Sequence, residues 1–334
     1  MDLSLLHYDL PREAIAQSPS PERDGSRLLV VPREGGGMSH GRFRDISGQL
    51  RPGDLLVINK TRVVPARLLG RRESGGKVEV LLLRRDGEIW QALGKTRGSL
   101  RAGERLAFDG IGGRFEGKSP GGEWRITLDA ELEKIRSIGA PPLPPYIRRP
   151  EGLLPEDPGR YQTVYAEEDG SVAAPTAGLH FTRPLLERLT SMGIEVAALT
   201  LHIGPGTFRP IRSDSVEAHK MQAESYSIPD ETIEAIRVAR QERRRVIAVG
   251  TSTTRAIESH ARTGISRGET DLFIHPPFEF LTTGGLLTNF HLPGSTLLCL
   301  VAAFAGRERI LSAYHQALEA GYRFYSYGDA MLII

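Results

Sequence analysis

Apolar and polar positions alternate in short runs through the middle of the chain. Val63–Leu69, Lys77–Leu83, Ile89–Leu93, Arg105–Phe108, Gly113–Glu116 and Trp124–Leu128 read as strands with a period of two. Turn residues separate them at Ser74-Gly75-Gly76, Asp86-Gly87, Asp109-Gly110 and Pro120-Gly121-Gly122. Short strands at near-regular spacing predict a small barrel or sandwich. The cluster Pro141-Pro142-Leu143-Pro144-Pro145-Tyr146-Ile147 ends that region as a stiff, extended connector.

On either side the period changes. Leu55–Asn59 is a continuous apolar run, as a strand buried on both faces requires. Beyond residue 182 helical and strand patterns take turns. A helix over about 183–192 leads to a strand at Ile194–Leu201, and a helix from near Asp230 leads to a strand at Val246–Val249. A helix from near Thr253 follows, then strands around Leu272–Ile274 and Leu286–Phe290, then helices over about 295–305 and 307–320. The expected fold class is α/β: a discontinuous α/β main domain (1–61 and 150–334) carrying an inserted small all-β barrel domain (62–149).

Charge sharpens that division. The net charge is only +2, yet residues 60–149 hold 19 Lys and Arg against 11 Asp and Glu. A basic module on an acidic body suits a polyanionic partner. The single cysteine, Cys299, lies in an apolar run, so no disulfide or cysteine metal site is expected and a reducing cytoplasm fits. The longest apolar stretch, Leu297–Ala305, is about half of a membrane span. The N-terminal MDLSLLHYDLP has no signal-peptide pattern, and no apolar stripe for self-association is evident, so a soluble cytoplasmic monomer is expected.

Candidate chemistry gathers in loops rich in Gly, Pro, Ser and Thr. Pro175-Thr176-Ala177-Gly178-Leu179-His180 is one such segment, built of residues that let a ligand approach the backbone. Three more follow predicted strands: His202-Ile203-Gly204-Pro205-Gly206-Thr207, Gly250-Thr251-Ser252-Thr253-Thr254-Arg255 and His291-Leu292-Pro293-Gly294-Ser295. Ligands of α/β folds lie at the carboxyl ends of strands, and free N–H groups at a helix start favour anions. The same Ser and Thr residues also serve as ordinary helix caps. His180, His202 and His291 stand in these loops, and His219 precedes Glu224 in His219-Lys220-Met221-Gln222-Ala223-Glu224. Two His and a Glu can bind zinc, but no helical metal-binding spacing is present, so acid–base work is expected and no metal.

Taken together, RYQTVYAEEDGSVAAPTAGLHFT, LHIGPGTFRPI, HKMQAESY, GTSTTRAIES, LLTNFHLPGSTLL and YRFYSYGDAMLI resemble the S-adenosylmethionine:tRNA ribosyltransferase-isomerase family. So do YDLPREAIAQSP, ERDGSRLLV, GDLLVINKTRVVPARL and PPLPPYIRRP, and the likeness runs in order along essentially the whole chain. It implies an enzyme of queuosine biosynthesis whose partners are S-adenosylmethionine and a tRNA carrying 7-aminomethyl-7-deazaguanine at the wobble position. S-adenosylmethionine would be a consumed substrate, so no cofactor is expected. Catalytic candidates are His180, His202, His219, Glu224 and His291. Substrate-binding candidates are Arg160, Tyr161, Thr176, Gly178, Gly204, Gly206, Thr207, Thr251, Ser252, Arg255, Asn289, Ser295 and Asp329. One departure stands out: the family usually has a second histidine where this chain has Gln222. A non-catalytic RNA-binding protein would need the basic module but not the histidine loops. An enzyme on a small nucleotide or sugar phosphate would need the loops but not the basic module.

Overall fold

The structure is a computed structural model, described for residues 2–208, 211 and 215–334, with the side chains of Thr207 and Phe208 outside the description. It divides into two compact units. The larger comprises Met1–Arg62, Pro144–Arg148 and Arg160–Ile334; the smaller comprises Val63–Leu143 and Arg149–Gly159. The fold is α/β, a main unit with an inserted all-β barrel.

The main unit is built on a nine-stranded sheet. Its order is Arg267–Thr270, Glu224–Ser227, Glu195–Leu201, Leu55–Asn59, Val246–Val249, Gly285–Asn289, Ala330–Ile333, Arg27–Val31 and Ser39–Arg42. Leu55–Asn59 lies between parallel neighbours, Glu195–Leu201 and Val246–Val249, and the latter pairs in parallel with Gly285–Asn289. The pleat then sorts side chains to opposite faces: Leu55 and Val57 enter one core, Leu56 and Ile58 the other. Helices cover the sheet at Arg183–Ser191, Asp230–Gln241, Thr251–Thr263, Thr296–Ala305 and Arg307–Glu319. Thr182 caps the first of these by accepting from Leu185 N, with Pro184 in the opening turn. Cys299 is buried, and burial pushes its thiol up to about 12.

One expected strand is displaced. Leu272–Ile274 forms no ladder, and the strand lies just before it at Arg267–Thr270. The carbonyls of Thr270 and Leu272 instead accept from the Arg255 guanidinium at 3.1 and 3.0 Å, and Leu272 N donates to Thr270 Oγ1. Side-chain partners replace the ladder there, so apolar character alone misplaces the strand.

In the smaller unit six antiparallel strands close into a barrel, in the order Trp124–Leu128, Ile89–Thr96, Lys77–Asp86, Arg67–Arg72, Glu104–Phe108 and Ile111–Lys118. Leu68, Val80, Leu106, Phe115, Trp124 and Ile126 fill its interior. Gly94 lets Trp124 lie against the backbone, because a Cβ at Gly94 would meet the indole at 2.0 Å. The unit also contains a short helix, Leu132–Ile138, that the strand pattern does not predict. Among the described residues no helix is long and apolar enough to cross a membrane.

Candidate active site

The parallel strands of the main sheet end at one cavity. Val246–Val249 delivers Gly250, Thr251 and Ser252 to its wall, Gly285–Asn289 delivers Asn289 and His291, and the segment after Glu195–Leu201 delivers Ile203. Tyr146, Tyr161 and Tyr325 add an aromatic side, and Glu224, Arg255 and Thr176 line it as well. It holds about 820 Å³ free of protein atoms, its open mouth included.

The start of helix Thr251–Thr263 gives the cavity a donor side. Gly250, with φ +94°, turns the strand into the helix, so the free N–H groups of the first turn stand beside the cavity. Ser252 Oγ accepts from Asn59 Nδ2 at 3.2 Å. Asn59 is held in turn, donating to Leu201 O and accepting from Leu201 N and Thr61 N. The serine proton therefore stays available to an incoming acceptor.

Thr176 gives the opposite polarity. Asn289 Nδ2 lies 3.1 Å from His180 Nε2 and 3.4 Å from the Asp329 carbonyl. A carbonyl only accepts, so that end of the amide is the NH2 group. His180 Nε2 then carries a lone pair, and Nδ1 donates to Ser26 Oγ at 2.8 Å. At its other end the amide oxygen accepts from Thr176 Oγ1 at 2.8 Å. With its one proton committed, Thr176 shows the cavity lone pairs only, and a group binding there must be a donor.

His180 thus bonds Asn289, which lines the cavity, and does not line the cavity itself. It is buried against Phe43, their rings 5.0 Å apart, and desolvation, reinforced by Arg323 and Arg23, lowers its pKa to about 3. His291 is the expected histidine that does line the cavity. Its Nε2 is 2.8 Å from Thr288 Oγ1, its backbone is pinned by the hydroxyls of Tyr8 and Tyr314, and burial lowers its pKa to about 3. His202 and His219 do not reach the cavity. His202 hydrogen-bonds Thr61 Oγ1 at 2.8 Å and packs over Gly170, where a Cβ would meet its ring at 2.7 Å. His219 leans on Phe273, and burial lowers the pKa of both histidines.

Glu224 and Arg255 line the cavity as a buried ion pair. Glu224 also accepts from Gly204 N at 2.8 Å, and each Arg255 nitrogen donates to a protein acceptor. The arginine braces Glu224 and the 270–272 segment, and as a cavity-lining residue it keeps two further N–H donors beyond those three bonds.

The other expected residues divide in the same way. Tyr161 lines the cavity, fully buried. Ser295 lines it too, but its hydroxyl caps helix Thr296–Ala305 by accepting from Leu298 N. Gly178 is a close-approach position where a Cβ would meet the Tyr165 hydroxyl at 2.0 Å, and a Cβ at Gly206 would meet Gln222 Oε1 at 2.8 Å. Arg160 donates to the carbonyls of Ser20 and Pro21 beside a separate small cavity. Asp329 accepts from the backbone N–H groups of Arg27 and Arg323 and anchors the C-terminal strand. The Thr207 side chain lies outside the described residues. Tyr146, Tyr325, Thr288 and Ser326 were not expected at the site. Tyr146 and Tyr325 stand 4.6 Å apart, Tyr146 bonds Ser326 Oγ, and Tyr325 holds a left-handed φ of +71°. Their signal lay in PPLPPYIRRP and YRFYSYGDAMLI, where no single residue type marked them.

Residues 3–333 match the model of the family described as "Queuosine biosynthesis protein". The chain belongs to this family. A relative from Carboxydothermus hydrogenoformans, named S-adenosylmethionine:tRNA ribosyltransferase-isomerase, is 50% identical, with all of both chains covered. A relative of the same name from Thermosipho africanus is 48% identical, again over both full chains. The crystal structure of a Thermotoga maritima S-adenosylmethionine tRNA ribosyltransferase superposes with a TM-score of 0.58 at 36% identity, covering 99% of this chain and 100% of that one. The protein is accordingly an enzyme, a transferase of the queuosine ribosyltransferase-isomerase family.

Proposed function

We propose that this enzyme binds S-adenosylmethionine in the cavity and transfers its ribosyl part to 7-aminomethyl-7-deazaguanine at the wobble position of a tRNA. The ribosyl group is isomerised to an epoxycyclopentane, giving epoxyqueuosine-tRNA, adenine and methionine. No separate cofactor takes part. The enzyme works as a cytoplasmic monomer, in keeping with a buried free thiol and few large apolar side chains on its surface.

The observation that carries this reading is the pairing, in one cavity, of a helix N-terminus with a buried, uncharged histidine. The donor side at Thr251 and Ser252 suits the methionyl carboxylate, and the acceptor at Thr176 suits an ammonium or amine of the same substrate. The sulfonium acidifies the C5′ hydrogen. When His291 Nε2 donates to Thr288 Oγ1, Nδ1 has the lone pair that takes this proton and leaves an ylide. The ylide expels the ring oxygen from C4′, and that oxygen becomes a C1′ carbonyl as adenine leaves with a proton. The unprotonated aminomethyl group adds at C4′ and loses its proton, the regenerated ylide attacks the carbonyl to close the ring, and the resulting alkoxide displaces methionine to form the epoxide. The tyrosine side keeps water from these charged intermediates.

Exchange of the C5′ hydrogens with solvent deuterium tests the assignment. His291→Ala should lose exchange and turnover by about 10²-fold or more, the scale of a removed general base. Unaltered exchange in a folded His291→Ala variant would place the base elsewhere.

A further inference from the structure

The barrel carries a run of basic side chains on its outer face that no carboxylate neutralises. Register fixes the neighbours. Arg71 is paired with Lys77 on one side and Ala107 on the other, Arg105 is opposite Arg114, and Arg114 is opposite Thr127, two residues beyond Arg125. These residues alternate with the buried Leu106, Phe115, Trp124 and Ile126, so all point away from the barrel core, and Lys77, Arg71, Arg105, Arg114 and Arg125 are exposed.

Three other barrel arginines are matched by carboxylates: Arg67 pairs with Glu79 at 2.7 Å, Arg72 with Glu104 at 2.6 Å and Arg85 with Glu88 at 3.6 Å. Arg84 donates to the neutral Gln91 on a different ladder from Arg105 and Arg114. Lys77, Arg71, Arg105, Arg114 and Arg125 have no ion pair among the described residues. Arg71 donates to the Gly75 carbonyl, and the nearby Glu116 accepts from Thr127 Oγ1 at 3.1 Å. Like charges set directly opposite in a ladder destabilise a sheet. An external polyanion relieves that repulsion and releases its own counterions. Adjacent strands lie about 4.8 Å apart, so the run is long enough to meet successive phosphates of one strand. Ala107 and Gly112, opposite each other and both exposed, leave the ground beside it low.

We propose that this face, centred on Arg105 and Arg114, docks the phosphate backbone of the tRNA substrate. The inference rests on the proposed tRNA reaction and adds the surface that holds the RNA.

The test measures tRNA affinity of the full chain against salt, for the wild type, Arg105→Gln/Arg114→Gln/Arg125→Gln and Arg84→Gln/Arg85→Gln. The triple variant should bind on the order of tenfold more weakly or worse, its log–log salt slope smaller by about two to three because each lost phosphate contact removes about one. Its melting temperature should hold or rise, since the substitutions relieve like-charge contacts. The Arg84/Arg85 variant should keep the wild-type slope. A triple variant with wild-type affinity and slope overturns the docking surface while leaving the tRNA reaction intact. A wild type that binds no tRNA overturns both.

Discussion

The imidazole of His180 is uncharged at neutral pH, and both of its ring nitrogens are engaged. Asn289 donates to one nitrogen, Ser26 accepts from the other, and burial holds the pKa at about 3. His291 is likewise uncharged, with its pKa lowered to about 3. An unfolded chain protonates these rings near pH 6.5. Because the folded pKa values are depressed, the unfolded state binds more protons between pH 6.5 and about 3. Stability is therefore full above pH 6.5 and falls as pH drops through that window. At pH 5 each histidine should withdraw up to about 2 kcal/mol. Urea midpoints at pH 7 and pH 5 measure the loss, and His180→Gln should show a smaller one; equal losses in both proteins would show that His180 does not titrate in this way. His180→Ala should also be destabilised by about 2–4 kcal/mol at pH 7, since it leaves a cavity and unpaired polar partners. Thermal melting reads that directly. A wild-type melt with lost turnover would instead mark His180 as the proton carrier its loop position suggests.

At the scale of elements, helix Thr251–Thr263 is tied to strand Glu224–Ser227 and the 270–272 segment by one side chain, Arg255. Glu224→Gln would leave that guanidinium buried without its counter-charge. It should cost about 3–5 kcal/mol, seen as a lower denaturation midpoint, with Arg255→Lys failing to substitute because the three-acceptor geometry needs a guanidinium. A Glu224→Gln midpoint equal to wild type would show that the pair does not brace the helix. Gln222, in place of the family's usual histidine, is exposed and packs near Gly206 rather than in the cavity. Gln222→His should change turnover by less than about threefold; a collapse of activity would place the position against substrate. These elements also show what a sequence can reveal. Val246–Val249 and Asp230–Gln241 were legible because their patterns are dictated by burial. The 272–274 segment was not, because its partner is an arginine 17 residues before Leu272 in the chain.

Across the whole molecule, the alternation of strand and helix disclosed the α/β body, and the glycine-punctuated strands disclosed the barrel. The loops at strand ends were also legible, since ligands meet parallel sheets there. Division of labour among the histidines was not. His180, His202 and His291 have near-identical local settings, and only the tertiary positions of Asn289, Thr61 and Thr288 separate a positioning group from one facing the cavity. The barrel charge was visible as a sum, but which arginines are matched depends on strand register.

We propose that this cavity performs ribosyl transfer from S-adenosylmethionine to tRNA. Adenine release, followed with and without tRNA carrying 7-aminomethyl-7-deazaguanine, tests it most directly. Wild type should release adenine and methionine in equal amounts when that tRNA is present and neither when it is absent, and His291→Ala should be slower by about 10²-fold or more. Equal release with and without the tRNA, or wild-type release by a folded His291→Ala variant, would contradict it.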